Sequence, residues 1–169
     1  PAFWYPGNVD YAGKHRLNTI TAGPPEAVKN AMAHFHAQLL KPEADWNPGV
    51  REPVIGVTLH MYLASSTKAA IARVHQAYPA YHRNLVTLFK RYDIPFTDPS
   101  LGGNTDLALT LGVLIAAAPE DAIAQIEHLI DETGIEYLTL SFAWGDLSHQ
   151  ETMDSIRLFA EEVMPHFNR

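Results

Sequence analysis

The chain has 169 residues, enough for one domain with a sizeable core that buries roughly 70% of its unfolded surface. Its 19 Asp+Glu against 12 Lys+Arg give a net charge of −7, which argues against a general binder of nucleic acid or anionic membrane, since both reward clustered Lys and Arg. With 47% hydrophobic residues, no cysteine and no apolar run of ~20 residues, the composition excludes disorder, a disulfide framework, thiol catalysis, Cys-based zinc sites and a membrane-spanning helix, and points to a soluble, cytoplasmic protein.

Pro1-Ala2-Phe3-Trp4-Tyr5 reads as a strand from the very first residue. Chain ends usually fray and carry polar residues, so this start implies either an upstream segment cut away or Met removal before a small residue. Leu17 to Thr21 is a short strand closed by Gly23. Pro24-Pro25 then opens a helix, because proline fits a first turn where no intrahelical N–H bond is lost. Val28, Met32, Phe35 and Leu39 give that helix its apolar stripe. The proline-rich, charged stretch from Lys41 to Pro53 is a loop.

Val54 to Ala64 is a nearly continuous apolar run, as suits a strand buried on both faces of a parallel sheet. Ser66 or Thr67 caps the next helix, whose core side is Ile71, Val74, Tyr78, Leu85 and Leu88, and Pro79 should kink or divide it. Asp93 to Gly112 reads as a long loop, either a candidate lid or a disordered segment. Pro119-Glu120 starts a helix with Ile123, Ile126 and Ile130 on one face and Gly134 as its stop. Ile135 to Ala143 is rich in β-formers. Ser148 and Glu151 form an S-x-x-E capping box ahead of a stripe of Met153, Ile156, Ala160, Val163 and Phe167.

Alternation of this kind implies an α/β fold of parallel strands joined by right-handed crossovers. Four such β/α units are half of an eight-stranded barrel. A doubly wound open sheet is the rival, and it needs a fifth strand that the pattern does not offer. In either architecture ligands collect at the carboxyl ends of the strands. Those ends hold no lysine, and their only acid is Asp146, so the equipment of a Schiff-base aldolase or a glycosidase is missing there. They are aromatic, small and hydroxylic, which suits a flat heteroaromatic ligand with a phosphate tail, or else they are merely turns. His34-x-His36 sits on a helical stretch where residues two apart diverge, so no metal site is assigned. His60 lies mid-strand, facing either the barrel interior or the helix layer. Trp144 lines a pocket or caps the barrel rim.

The final segment Gly134-Ile135-Glu136-Tyr137-Leu138-Thr139-Leu140-Ser141-Phe142, then Gly145, then Ser155 to Phe167 with its ending LFAEEVMPHF, resembles the carboxyl end of the bacterial luciferase-like flavin monooxygenases. Trp4-Tyr5-Pro6, Leu17 to Glu26 and Pro119-Glu120 are similar to that family in the same order. The resemblance covers nearly the whole chain and the second half of the family's. It implies a fold of parallel (β/α) units forming strands five to eight of a TIM-type (β/α)8 barrel, in a single partial domain over residues 1–169 with a lid or insertion at 93–112.

By the same resemblance the function is oxidation of a small organic substrate by reduced FMN and O2, with the deazaflavin F420 as the alternative cofactor and a separate flavin reductase as a partner. Gly7 and Asn8 would approach the flavin phosphate and Thr21, Gly23 and Pro24 the ring system, with Trp4, Phe142 and Trp144 in the substrate pocket. No catalytic residue is assigned. There are departures: the first loop carries Asp10, which repels phosphate unless turned away, and Ala116-Ala117-Ala118 stands where many members show Gly-Ser or Gly-Thr. An isolated half is catalytically incomplete and leaves open strand edges, so association with the missing half or a second copy is expected. The alternative function is a non-catalytic truncated flavoprotein or half-barrel assembly subunit.

Overall fold

The computed structural model describes residues 8–41, 52–95 and 100–167. The expected first strand with Trp4, the adjoining Gly7 and most of the proline-rich loop lie outside the described residues. In chain order the elements are α1 (Val9–Lys14), β1 (Thr19–Thr21), α2 (Pro25–Leu39), β2 (Ile55–Leu63), α3 (Thr67–Arg91), a 3-10 turn (Leu101–Gly103), α4 (Thr105–Thr110), β3 (Leu114–Ala117), α5 (Pro119–Thr133), β4 (Tyr137–Ser141), α6 (His149–Leu158), a π-helical stretch (Phe159–Val163) and α7 (Met164–Phe167). Strand β2 pairs with the other three. β1 runs parallel to its first half, Thr19 opposite Ile55, and β3 parallel to its second half, His60 opposite Leu114. This is the alternating α/β architecture expected from the pattern.

The chain divides into two compact units, Pro1–Leu59 with His128–Thr139, and His60–Glu127 with Leu140–Arg169. In the first, α2 buries Val28, Met32 and Phe35, three of the four stripe positions, each contributing about 1.5–3 kcal/mol. Gly13 lets α1 approach α2, since a Cβ there would lie 2.6 Å from the Phe35 carbonyl oxygen. Asn18 accepts a hydrogen bond from the Val54 amide at 2.9 Å, fastening β1 to the start of β2.

In the second unit the core gathers Tyr62, Val74, Tyr78, Leu114 and Trp144 with alanines 70, 77, 108 and 116. Arg73 ties α3 to the start of α6, donating from Nε to Glu151 at 2.5 Å and from Nη1 to Asp146 at 2.9 Å. Glu151 also completes the capping box with Ser148. The Thr67 hydroxyl accepts from the Ala118 amide at 2.9 Å and donates to Asp121, joining the first turns of α3 and α5.

The structure departs from the sequence expectations at several places. Pro79 does not divide α3, because Tyr78 and Ala80 are buried on either side and their packing offsets the roughly 3 kcal/mol a mid-helix proline costs. The presumed loop after Tyr5 contains α1, and the segment 93–112 contains α4, each capped by an asparagine side chain (Asn8 and Asn104). Leu114–Ala117 is a fourth described strand, fully buried and hidden in the sequence by its alanines. On α5 the buried row is Ala122, Ile126, Leu129 and Thr133, while Ile130 is exposed.

On α6 the buried row is Thr152 and Ser155, while Met153 is exposed. The cause is the Leu63 amide, which donates to Ser155 Oγ at 2.8 Å and turns that face inward. The π-helical stretch then inserts the extra residue that brings Val163 back to full burial.

Glu151→Gln keeps a side chain able to cap α6 but removes the charge facing Arg73, and is expected to cost about 1–3 kcal/mol in urea unfolding at pH 7. Hydrogen bonds from Arg73, then from Ser148, hold the Glu151 carboxyl down to about 2 from an ordinary 4.5. Because the folded value is the lower one, the stabilisation is complete above about pH 4.5 and is lost as pH falls toward 2. Wild type and variant should therefore converge in stability below pH 2, and a constant difference across that window would refute the assignment.

Candidate functional site

A cavity of about 610 Å³ opens in the second unit. Strand β2 contributes His60. Helix α3 contributes Tyr81, Asn84, Leu85 and Leu88, an i, i+3, i+4, i+7 set that forms one helix face. The end of β4 and the segment behind it contribute Ser141, Ala143, Trp144, Gly145 and Leu147. None of these ten lining residues carries a full charge at pH 7, apart from whatever proton His60 binds.

His60 faces the helix layer. Its ring packs at 4.5 Å from Tyr81 and edge-on at 5.6 Å to Trp144, with Tyr78 at 6.3 Å. Trp144 is itself buried and donates its Nε1–H to the Met61 carbonyl at 3.3 Å, which fixes the indole plane. Burial among these rings pushes the His60 imidazole down to about 4, so it is neutral at physiological pH and holds one donor and one acceptor nitrogen. Gly145 makes this packing possible. Its φ is +65°, and a Cβ there would meet the Ala77 carbonyl oxygen at 2.1 Å. Asn84 closes the same corner by donating to the Gly145 carbonyl at 3.3 Å.

Of the residues singled out from sequence, Trp144 lies in this cavity, while Phe142 packs on Phe159 with ring centroids 5.7 Å apart. Asn8, Thr21, Gly23 and Pro24 belong to the first unit. The Asn8 side chain accepts from the Tyr11 amide as the cap of α1. The Asp10 carboxylate is drawn to α2, accepting from Gln38 Nε2 at 3.1 Å and pairing with His34 Nδ1 at 3.3 Å. Thr21 ends β1 and Gly23, with φ +129°, leads into Pro24 at the cap of α2. Neither Pro24 nor Pro25 has an N–H, so the first-turn amides left at this helix start are those of Glu26 and Ala27. The sequence left the face of His60 open and did not single out Tyr81. The signal that places Tyr81 in the cavity is the 81-84-85-88 spacing.

The neutral, aromatic lining around Trp144 suits a flat ring and supplies no cation to a phosphate.

No family model matches this chain, and no curated protein matches it. Solved structures do. The chain is similar to monooxygenase RslO1 from Streptomyces bottropensis (20% identity, TM-score 0.69), covering 94% of this chain and 44% of that one. It is similar to the oxygenating constituent of the 3,6-diketocamphane monooxygenase of Pseudomonas putida, a type II Baeyer-Villiger enzyme in complex with FMN (16%, 0.67), over 97% and 47%. The coenzyme F420-dependent tetrahydromethanopterin reductase of Methanopyrus kandleri matches at 15% and 0.63, over 99% and 51%. The chain thus has the fold of luciferase-like monooxygenases and spans about half the length of these proteins.

Two outcomes test the site's construction. Gly145→Ala is expected to destabilise by about 3 kcal/mol or more, through the left-handed backbone and the clash with Ala77, as read by urea unfolding. For His60 the folded value lies below the ordinary 6.5, so its neutral form contributes stability that is complete above pH 6.5 and lost as pH falls to 4. The loss is up to about 3 kcal/mol, and His60→Phe should flatten stability between those two pH values. An unchanged slope in that variant would contradict the assignment.

Proposed function

We propose that the gene product carrying this chain is a luciferase-like flavin-dependent monooxygenase and that this chain supplies its carboxyl-terminal half. The observation that supports this reading is the likeness, over nearly all of the chain, to two monooxygenase structures, one of them solved with FMN. In this reading the reduced flavin supplies the electrons that activate O2. Gly7 and Asn8 approach its phosphate, Thr21, Gly23 and Pro24 lie near its ring system, and Trp4, Phe142 and Trp144 belong to the substrate pocket. The part played by side chains is positioning and exclusion of water, for which the indole of Trp144 and the phenol of Tyr81 are suited. A separate reductase delivers the reduced flavin, and F420 is the alternative cofactor, as in the reductase that shares the fold.

The test uses the full-length gene product, titrated without air with reduced FMN and with reduced F420, and then exposed to O2. The expected result is saturable binding of FMN and substrate-dependent O2 uptake, with one atom of labelled oxygen in the organic product. Flavin binding with no O2 uptake beyond that of free reduced flavin would favour a non-catalytic flavoprotein. Binding of neither cofactor would overturn the reading altogether.

A further inference from the structure

Three polar groups line the cavity with hydrogen-bonding capacity that the protein does not use. Neither ring nitrogen of His60 has a hydrogen-bond partner among the described residues, nor does the Ser141 hydroxyl. Asn84 spends its amide N–H on the Gly145 carbonyl and keeps its carbonyl oxygen as an acceptor. His60 and Ser141 are half-buried and Asn84 is exposed, so all three can offer this capacity to a guest that enters the cavity. Around these groups stand the half-buried Tyr81 and the buried Trp144, whose rings meet His60 at a tilt and edge-on.

Charge decides the class of guest. The nearest acid in sequence, Asp146, does not line the cavity, and its carboxylate is bonded to Arg73. A charged ligand would therefore lose its hydration and gain no counter-charge, which costs several kcal/mol. We propose that this cavity binds an uncharged, flat aromatic molecule bearing a donor and an acceptor group, held by His60, Ser141 and Asn84 and packed beside Tyr81. That this guest is the substrate rests on the monooxygenase reading above; the binding site itself does not. Burial keeps His60 neutral well below pH 7, which preserves its donor and acceptor together.

The probe is 2-naphthamide, compared by calorimetry with 2-naphthoate, which has the same shape and a full negative charge, on the full-length gene product at pH 7. Stoichiometric binding of the amide, at least about tenfold tighter than the acid, is expected. Ser141→Ala and His60→Leu should each weaken the amide by about three- to tenfold, with circular dichroism confirming that both variants fold. Equal or tighter binding of the acid, no binding by folded protein, or indifference to both substitutions would overturn the proposal. Lumiflavin, an uncharged flavin ring without phosphate, is the competitor. If it displaces the amide the cavity belongs to the flavin ring and its assignment to the substrate falls; if it does not, that assignment stands. Loss of FMN binding in the parallel titration, with 2-naphthamide still bound, would remove the monooxygenase reading and leave this site intact.

Discussion

Strand β2 is nine residues long and buried or partly buried at every position, so each of its backbone polar groups must find a partner inside the protein. Where neighbouring strands are available, the ladder provides it. At the last residue side chains complete the job, because the Leu63 amide donates to Ser155 Oγ. Two residues earlier the Met61 carbonyl accepts from Trp144. Each of these bonds fixes another element. The first selects which face of α6 turns inward. The second pins the segment behind β4, and with Trp144 held there the chain must pass Ala77 so closely that only glycine fits at position 145. The shape of the cavity is thus a consequence of satisfying one strand's backbone.

The same logic explains which parts of the fold were legible in the sequence. Helix α2 declared itself through Val28, Met32 and Phe35, because its apolar period and its buried face coincide. The capping box was legible because it depends only on residues three apart, Ser148 and Glu151. What failed was any inference from apolar period where a polar bond controls orientation. Ser155 and Thr152 face inward on α6 while the more hydrophobic Met153 faces out. Strand β3 escaped notice because four buried residues, two of them alanine, carry too little pattern. Pro79 misled because a local rule was outweighed by packing on both sides of it.

For the site, strand-end reasoning led to Trp144 and could not go further. Whether His60 faces a barrel interior or a helix layer depends on which alternate face of β2 meets α3, and a strand buried on both faces has no polar side to decide it. Tyr62 settles the matter in the structure, since it shares His60's face and lies in the core with Val74 and Tyr78 of α3. Tyr81 then follows from helix geometry.

The distribution of charge carries the last step. The chain holds an excess of acids, and yet the acid at the end of β4, Asp146, is bonded to the same guanidinium that clamps Glu151. Arg73 thereby draws both carboxylates into a structural knot, and the cavity wall beside them is left with neutral donors and acceptors. The Glu151 carboxylate so held is a poor general base, because the hydrogen bonds from Arg73 and Ser148 that fix its position also hold it down to about 2. Side chains arranged this way orient and desolvate a guest rather than exchange protons with it. In the proposed oxidation the reactivity would be supplied by the bound cofactor, and the side chains would position and desolvate.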